Sequence, residues 1–236
     1  MRSCRPVVFA GVSLSHAEIR GLLDAECRPP IRAGDLDGLR GAQRTVVIID
    51  GELAGNALLS VDELERAISR GFDIRGASSV GALRAAEFRE RGMQGCGWVY
   101  QAFRNGRILG TEEIAVLYDP LSLCPLTIPL VTVRFWLDQF VSRGLAENKE
   151  ADYAMDALKA VGLENRTKKG IEAQLAGMPI AERTGEEKMN TFTHSMYNIK
   201  AHDARYLLGN LNTGATSELA SKRSLFRCVY GGVERV

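Results

Sequence analysis

The run Thr45-Val46-Val47-Ile48-Ile49 is continuous and β-branched throughout, and it stops abruptly at Asp50-Gly51. A strand that alternates apolar with polar residues hides one face. One that does not alternate must be covered on both, as in a parallel sheet between layers of helix. Val7 to Ala10 is a second such run, ending at Gly11, with Ser15 or Ser13 placed to cap a helix from His16 to Leu23. Phe72 to Arg75 is a third, preceded by a helix over Val61 to Arg70 whose apolar positions Val61, Leu64, Ala67 and Ile68 recur at helical period.

Three strands separated by helices predict a parallel sheet with right-handed crossovers. Open sheets of this kind take their ligands beyond the carboxyl ends of the strands. Gly11-Val12-Ser13, Asp50-Gly51 and Ser78-Ser79 are therefore expected along one rim. Beyond them, helices are predicted over Trp98 to Asn105, Glu112 to Leu117, Leu130 to Val141, Glu150 to Val161, Thr167 to Leu175 and Glu186 to Leu208. Pro120, Pro125 and Pro129 mark a connecting stretch, and Gly144, Gly162 and Gly177-Met178-Pro179 break the later helices. The tail from Asn210 reads as loose, with Leu225 to Tyr230 an added strand or an arm. The expected fold is α/β, a small parallel sheet of strand-helix units in the N-terminal half and a mostly helical C-terminal half. The expected organisation is an α/β core over residues 1–120 with a helical region over 121–236 packed on it.

Composition excludes several functions. Lys and Arg number 30 against 29 Asp and Glu, a net charge of +1, so neither a nucleic-acid groove nor a membrane patch is indicated. No apolar run approaches the roughly 18 residues of a membrane span. Cys4, Cys27, Cys96, Cys124 and Cys228 are scattered without a C-x-x-C pair or a histidine at ligand spacing, which argues against a structural zinc and for reduced, cytoplasmic thiols. Cys96, in a glycine-rich turn, reads as an inert small residue.

The chemistry concentrates in Gly76-Ala77-Ser78-Ser79-Val80-Gly81-Ala82-Leu83-Arg84-Ala85-Ala86-Glu87, where a strand turns through small residues into a helix from Val80 to about Arg91, stopped by Gly92. Ala77-x-Ser79-x-Gly81 has the spacing of a nucleophile elbow with alanine for its first glycine. Two readings compete. Ser79 is either a hydroxyl exposed at the positive end of a helix or an ordinary N-cap, with the small residues there for close helix-sheet packing. His16, His194 and His202 sit in no triad motif.

The same stretch resembles the signature of the TfuA-like proteins, G-A-[AS]-S-M-G-A-L-R-A-A-E. Val8-Phe9-Ala10-Gly11-Val12-Ser13-Leu14 is similar to the family's V-F-x-G-P-S-L, Pro29 to Leu36 to its P-P-x-x-x-G-D-L, and Ile48-Ile49-Asp50-Gly51 to its I-I-D-G. The chain departs from the pattern at Val12, where proline is usual, and Ser78 adds a second hydroxyl. The resemblance implies a partner of YcaO-type enzymes in peptide backbone thioamidation. It implies hydrolysis of the C-terminal thiocarboxylate of a ThiS-like sulfur carrier, releasing sulfide for the YcaO enzyme; no cofactor or metal is expected. It also implies a Ser-Lys pair, here Ser79 with Lys200 of the segment Lys200-Ala201-His202-Asp203-Ala204. A lysine acting as base must be shielded so that its pKa falls, and the alternative for Lys200 is a snorkelling helix lysine. Backbone N–H groups of Val80 and Gly81, with a further donor from Gly11, Val12 or Ser13, are then expected to hold the oxyanion. Asp50, beside Gly51, is expected to orient Lys200 or a loop N–H. Arg84 is expected either to pair with Glu87 on the helix surface or, fixed by Glu87, to hold the carrier's C-terminus. The alternatives are an adaptor that docks carrier, peptide and YcaO enzyme without chemistry, and a small-molecule-binding α/β protein.

Overall fold

The computed structural model describes residues 5–40, 44–180 and 198–212. Five parallel strands, β1 (Val7–Phe9), β2 (Glu26–Arg28), β3 (Thr45–Ile48), β4 (Asp73–Gly76) and β5 (Gln94–Gly95), form one sheet in the order β2-β1-β3-β4-β5. The three expected strands are its centre. The two edge strands escape sequence reading because Glu26-Cys27-Arg28 is polar and half-buried, while Gln94–Gly95 is too short to carry a pattern. The chain winds from β1 outward to β2, then back across to β3 and on to β5. The reversal between β1 and β3 opens a crevice at the carboxyl ends of those two strands.

Alternate residues of the central strands enter opposite layers, as the unbroken apolar runs require. Val7, Phe9, Val46 and Ile48 pack with α2 (Val61–Ser69), α3 (Val80–Glu87) and α4 (Trp98–Arg104). Val8, Ala10, Val47 and Ile49 pack with α1 (His16–Leu22) and with Ala204, Leu207 and Leu208 of α8 (Ile199–Asn212). Each fully buried leucine there stabilises by about 1.5–3 kcal/mol. Between them in sequence, α5 (Leu130–Ser142), α6 (Asn148–Lys159) and α7 (Lys168–Leu175) build a core of their own around Trp136, Leu137, Met155 and Ile171. The helical half is thus split: three helices make a satellite core, and α8 returns to cover the sheet.

A buried carboxylate helps to anchor its return. Asp203 is fully buried and accepts from the N–H groups of Trp98 (3.0 Å) and Val99 (2.8 Å), capping α4 from 104 residues away. Burial pushes its carboxyl up, while His202 and the two N–H groups oppose that. Gly97, at φ 94°, supplies no side-chain cap, and a Cβ there would lie 2.3 Å from the Asp203 carboxylate carbon.

Two sequence expectations need correction. The predicted helix over Glu112 to Leu117 is only a 3-10 turn, Thr111–Glu113, because the chain then bends into a hairpin in which Leu117 N–H reaches Thr127 Oγ1 and Tyr118 pairs with Pro125. The helix expected to reach Arg91 ends at Glu87, followed by a 3-10 turn, Arg89–Arg91, that closes on Gly92 at φ 101°. The expected stretches 186–197 and Leu225 to Tyr230 lie outside the described residues. Among the described residues no helix is long and apolar enough to cross a membrane.

Candidate active site

The bend from β4 into α3 is made by one backbone hydrogen bond across a single residue. Ser79 N–H donates to the Ala77 carbonyl (2.9 Å) around Ser78, which has φ 74°. This is a γ-turn of the positive-φ kind, rare and strained for a residue with a Cβ. Ser78 is completely buried, and its hydroxyl has no hydrogen-bond partner. Ser79 follows at φ −124°, ψ −120°, in neither the strand nor the helix region, and its side chain makes no cap hydrogen bond to α3.

The glycines around this turn are there for contact. A Cβ on Gly81 would lie 1.7 Å from the Ile48 carbonyl oxygen, and one on Gly76 would lie 2.0 Å from the Gly81 carbonyl oxygen. Backbone lies on backbone here, which is the packing reading of the small residues.

At the crevice between β1 and β3, the Asp50 carboxylate is buried and fully engaged. Its Oδ2 accepts from the N–H groups of Gly11 (3.1 Å), Val12 (3.0 Å) and Ser13 (2.8 Å), and its Oδ1 from the Ser13 hydroxyl (2.5 Å). Gly11 has φ 148° and no room for a Cβ, which would meet Leu123 Cδ1 at 2.3 Å. The 117–127 hairpin therefore lies on the first loop. Its base is held by the Tyr118 hydroxyl donating to Glu52, and burial together with that carboxylate pushes Tyr118 up to about 12.

Lys200, on α8, is 3% exposed. Its Nζ donates to the Ile114 carbonyl (3.2 Å) at the end of the 111–113 turn. That turn is pinned from outside by a buried bidentate pair between Glu113 and Arg134 (2.5 and 2.7 Å) and by Arg166 donating to the Glu112 carbonyl (2.7 Å). Burial pushes the Lys200 amine below the usual lysine range, and the Asp50 carboxylate opposes that, so the amine lies within the field of the strand-end carboxylate. Lys200 does not snorkel. The start of α3 packs on the same strand end, where Gly81 N–H donates to the Ile49 carbonyl (3.3 Å) and Val80 lies 3.1 Å from a Cβ placed on Gly51. No hydrogen bond joins Ser79 to Lys200.

A family model described as TfuA-like protein matches residues 50–167, half of the 236-residue chain. The chain belongs to the TfuA-like family. Membership supports a role connected with thioamidation. A comparison with curated proteins gives no match.

In this TfuA-like chain the expected donors are distributed differently from the sequence reading. The N–H groups of Gly11, Val12 and Ser13 serve Asp50, and that of Gly81 serves Ile49, so these four are engaged within the protein. Val80 N–H is the expected donor for which the described residues show no such hydrogen bond. Arg84 is buried, paired with Glu87 (2.5 Å) and bonded to the Leu59 carbonyl, which ties α3 to the segment before α2 and leaves its Nε without a partner. Both expectations for Arg84 therefore meet a residue locked in place. His16 links the Ala10 and Arg28 carbonyls, and burial pushes the Cys96 thiol up, as suits an inert residue. His194 lies outside the described residues.

Sequence reasoning gave Asp203 no role, although it stands three residues after Lys200. The available signal was the glycine at position 97, immediately before a helix with no capping side chain of its own.

Proposed function

We propose that this TfuA-like protein is a hydrolase that cleaves the C-terminal thiocarboxylate of a ThiS-like sulfur carrier, supplying sulfide to a YcaO-type enzyme that thioamidates a peptide. The observation that carries this reading is a serine at a helix start whose hydroxyl is not used by that helix, in a chain that also buries a desolvated lysine within the field of the strand-end Asp50. Ser79 Oγ attacks the thiocarboxylate carbon as Lys200, in its neutral form, takes the hydroxyl proton. The negative charge on the thiocarboxylate and then on the tetrahedral oxyanion is met by the positive end of α3 and the Val80 N–H. Collapse breaks the carbon-sulfur bond, sulfide leaves as HS⁻ with the proton from Lys200 accounted for, and an ester on Ser79 remains. Water, deprotonated by Lys200, adds to that ester and releases the carrier carboxylate. Asp50 holds the first loop rigid and stabilises whatever positive charge Lys200 carries.

A protein substrate also accounts for the surface beside the rim. Leu121 is 95% exposed and Leu126 61% exposed on the hairpin that covers Gly11, and Asp119, the only charged side chain from Leu117 to Ile128, is capped by the N–H groups of Leu121 and Ser122. These leucines equally favour the second reading, an adaptor that docks its partners without chemistry. The two readings separate when purified protein is mixed with carrier thiocarboxylate and sulfide is measured. Release that disappears in Ser79→Ala and Lys200→Ala supports hydrolysis, and binding without release supports the adaptor.

A further inference from the structure

We propose that Ser78 is the positioning residue of this site: its strained turn holds the Ser79 hydroxyl away from the α3 amides and so keeps it available to react. The inference rests on the hydrolytic reading for its use, and on geometry alone for its mechanism. A serine at a helix start normally folds back onto its own helix, as Ser15 and Ser60 do here with ψ near 151° and 157° and a hydrogen bond from the third residue on. Those caps require extended backbone. At Ser79 the preceding γ-turn commits its N–H to Ala77 and leaves ψ at −120°, and no cap forms. Ser78 meets two costs to hold that turn, a left-handed backbone with a Cβ and a buried hydroxyl without a partner. Strain of this kind persists only where surrounding structure imposes it, and the backbone contacts of Gly76 and Gly81 do so here.

The account makes the conformation, not the hydroxyl, the functional property of position 78. Asparagine and threonine are close in size but differ in tolerance of positive φ. In Ser78→Thr the turn opens, so kcat for sulfide release falls on the order of tenfold to a hundredfold below that of Ser78→Asn, with KM shared. Equal kcat in the two variants, or a higher value in Ser78→Thr, overturns the proposal.

Two melting comparisons remain readable even if a bulky variant misfolds. Ser78→Gly is expected to melt about 2–4 °C above Ser78→Ala, because only glycine takes the turn without cost. Ser79→Ala is expected to leave the wild-type melting temperature within about 1 °C, because no cap is lost. A Gly variant melting no higher than the Ala variant, or a melting loss of several degrees in Ser79→Ala, also overturns it. Should wild-type protein release no sulfide while both melting results hold, the hydrolytic reading fails and the strained, cap-withholding turn stands.

Discussion

The described helices that start on a serine or threonine are of two kinds, and they differ in what that hydroxyl residue does. At α1, Ser15 accepts from Glu18 N–H and completes a capping box; at α2, Ser60 accepts from Glu63 N–H. At α7, Thr167 does the same with Gly170 N–H. At α3, Ser79 occupies the equivalent position and makes no such bond. The residue type is the same or similar, so the difference comes from what precedes it, a positive-φ Ser78 where Leu14, Leu59 and Arg166 have ordinary negative φ. The forgone cap is worth about 1 kcal/mol, the left-handed backbone about 1–2 kcal/mol, and the unpartnered hydroxyl about 1–3 kcal/mol. Among the described serine and threonine caps this is the one bend that carries such costs, which is the ground for the proposed role of Ser78.

The contrast can be broken most decisively through activity. Ser79→Ala is expected to lower sulfide release at least about 1,000-fold, measured on carrier thiocarboxylate, because the attacking group is gone.

Lys200→Met is expected to reduce release by about 100- to 10,000-fold, the usual range for a lost general base. The same variant tests burial. Because the folded pKa of Lys200 lies below the 10.5 of a free lysine, the unfolded chain binds more protons between the two values. Stability of the wild type therefore rises with pH through that window, and the penalty is full below the folded pKa. In Lys200→Met that rise disappears, which denaturant midpoints measured from neutral pH upward will show.

Asp203→Ala is expected to cost about 2–3 kcal/mol, seen as a fall of roughly 5–10 °C in melting temperature, because it uncaps α4 and frees α8 together. Ser60→Ala has the smallest effect, about 1 kcal/mol or 2–4 °C, with release unchanged. Set beside Ser79→Ala, it sharpens the contrast directly: one serine matters to stability, the other to activity.

How far this was legible in the sequence depends on the range of the interaction. The central strands were readable because β-branched runs covered on both faces leave a one-dimensional pattern, and the rim followed from parallel order. The turn at 76–81 was readable as a bend from its small residues. Which serine carried the strain was not, since φ at Ser78 is imposed by Gly81 resting on Ile48 and Gly76, contacts made only in the assembled sheet. The loop donors were misassigned for a similar reason. Gly11, Val12 and Ser13 do form an anion cradle, but the anion in it is Asp50, nearly forty residues away in the chain. Asp203 was invisible because its partners, Trp98 and Val99, are backbone groups that no side-chain motif announces.

The central claim is that the Ser79 hydroxyl, withheld from its helix, becomes acylated. Wild-type protein turning over carrier thiocarboxylate is quenched in acid, which preserves an ester, and its peptides are searched by mass spectrometry. The account predicts a carrier tail esterified to Ser79. An adduct on Ser78, or sulfide released at the wild-type rate by Ser79→Ala, would contradict it.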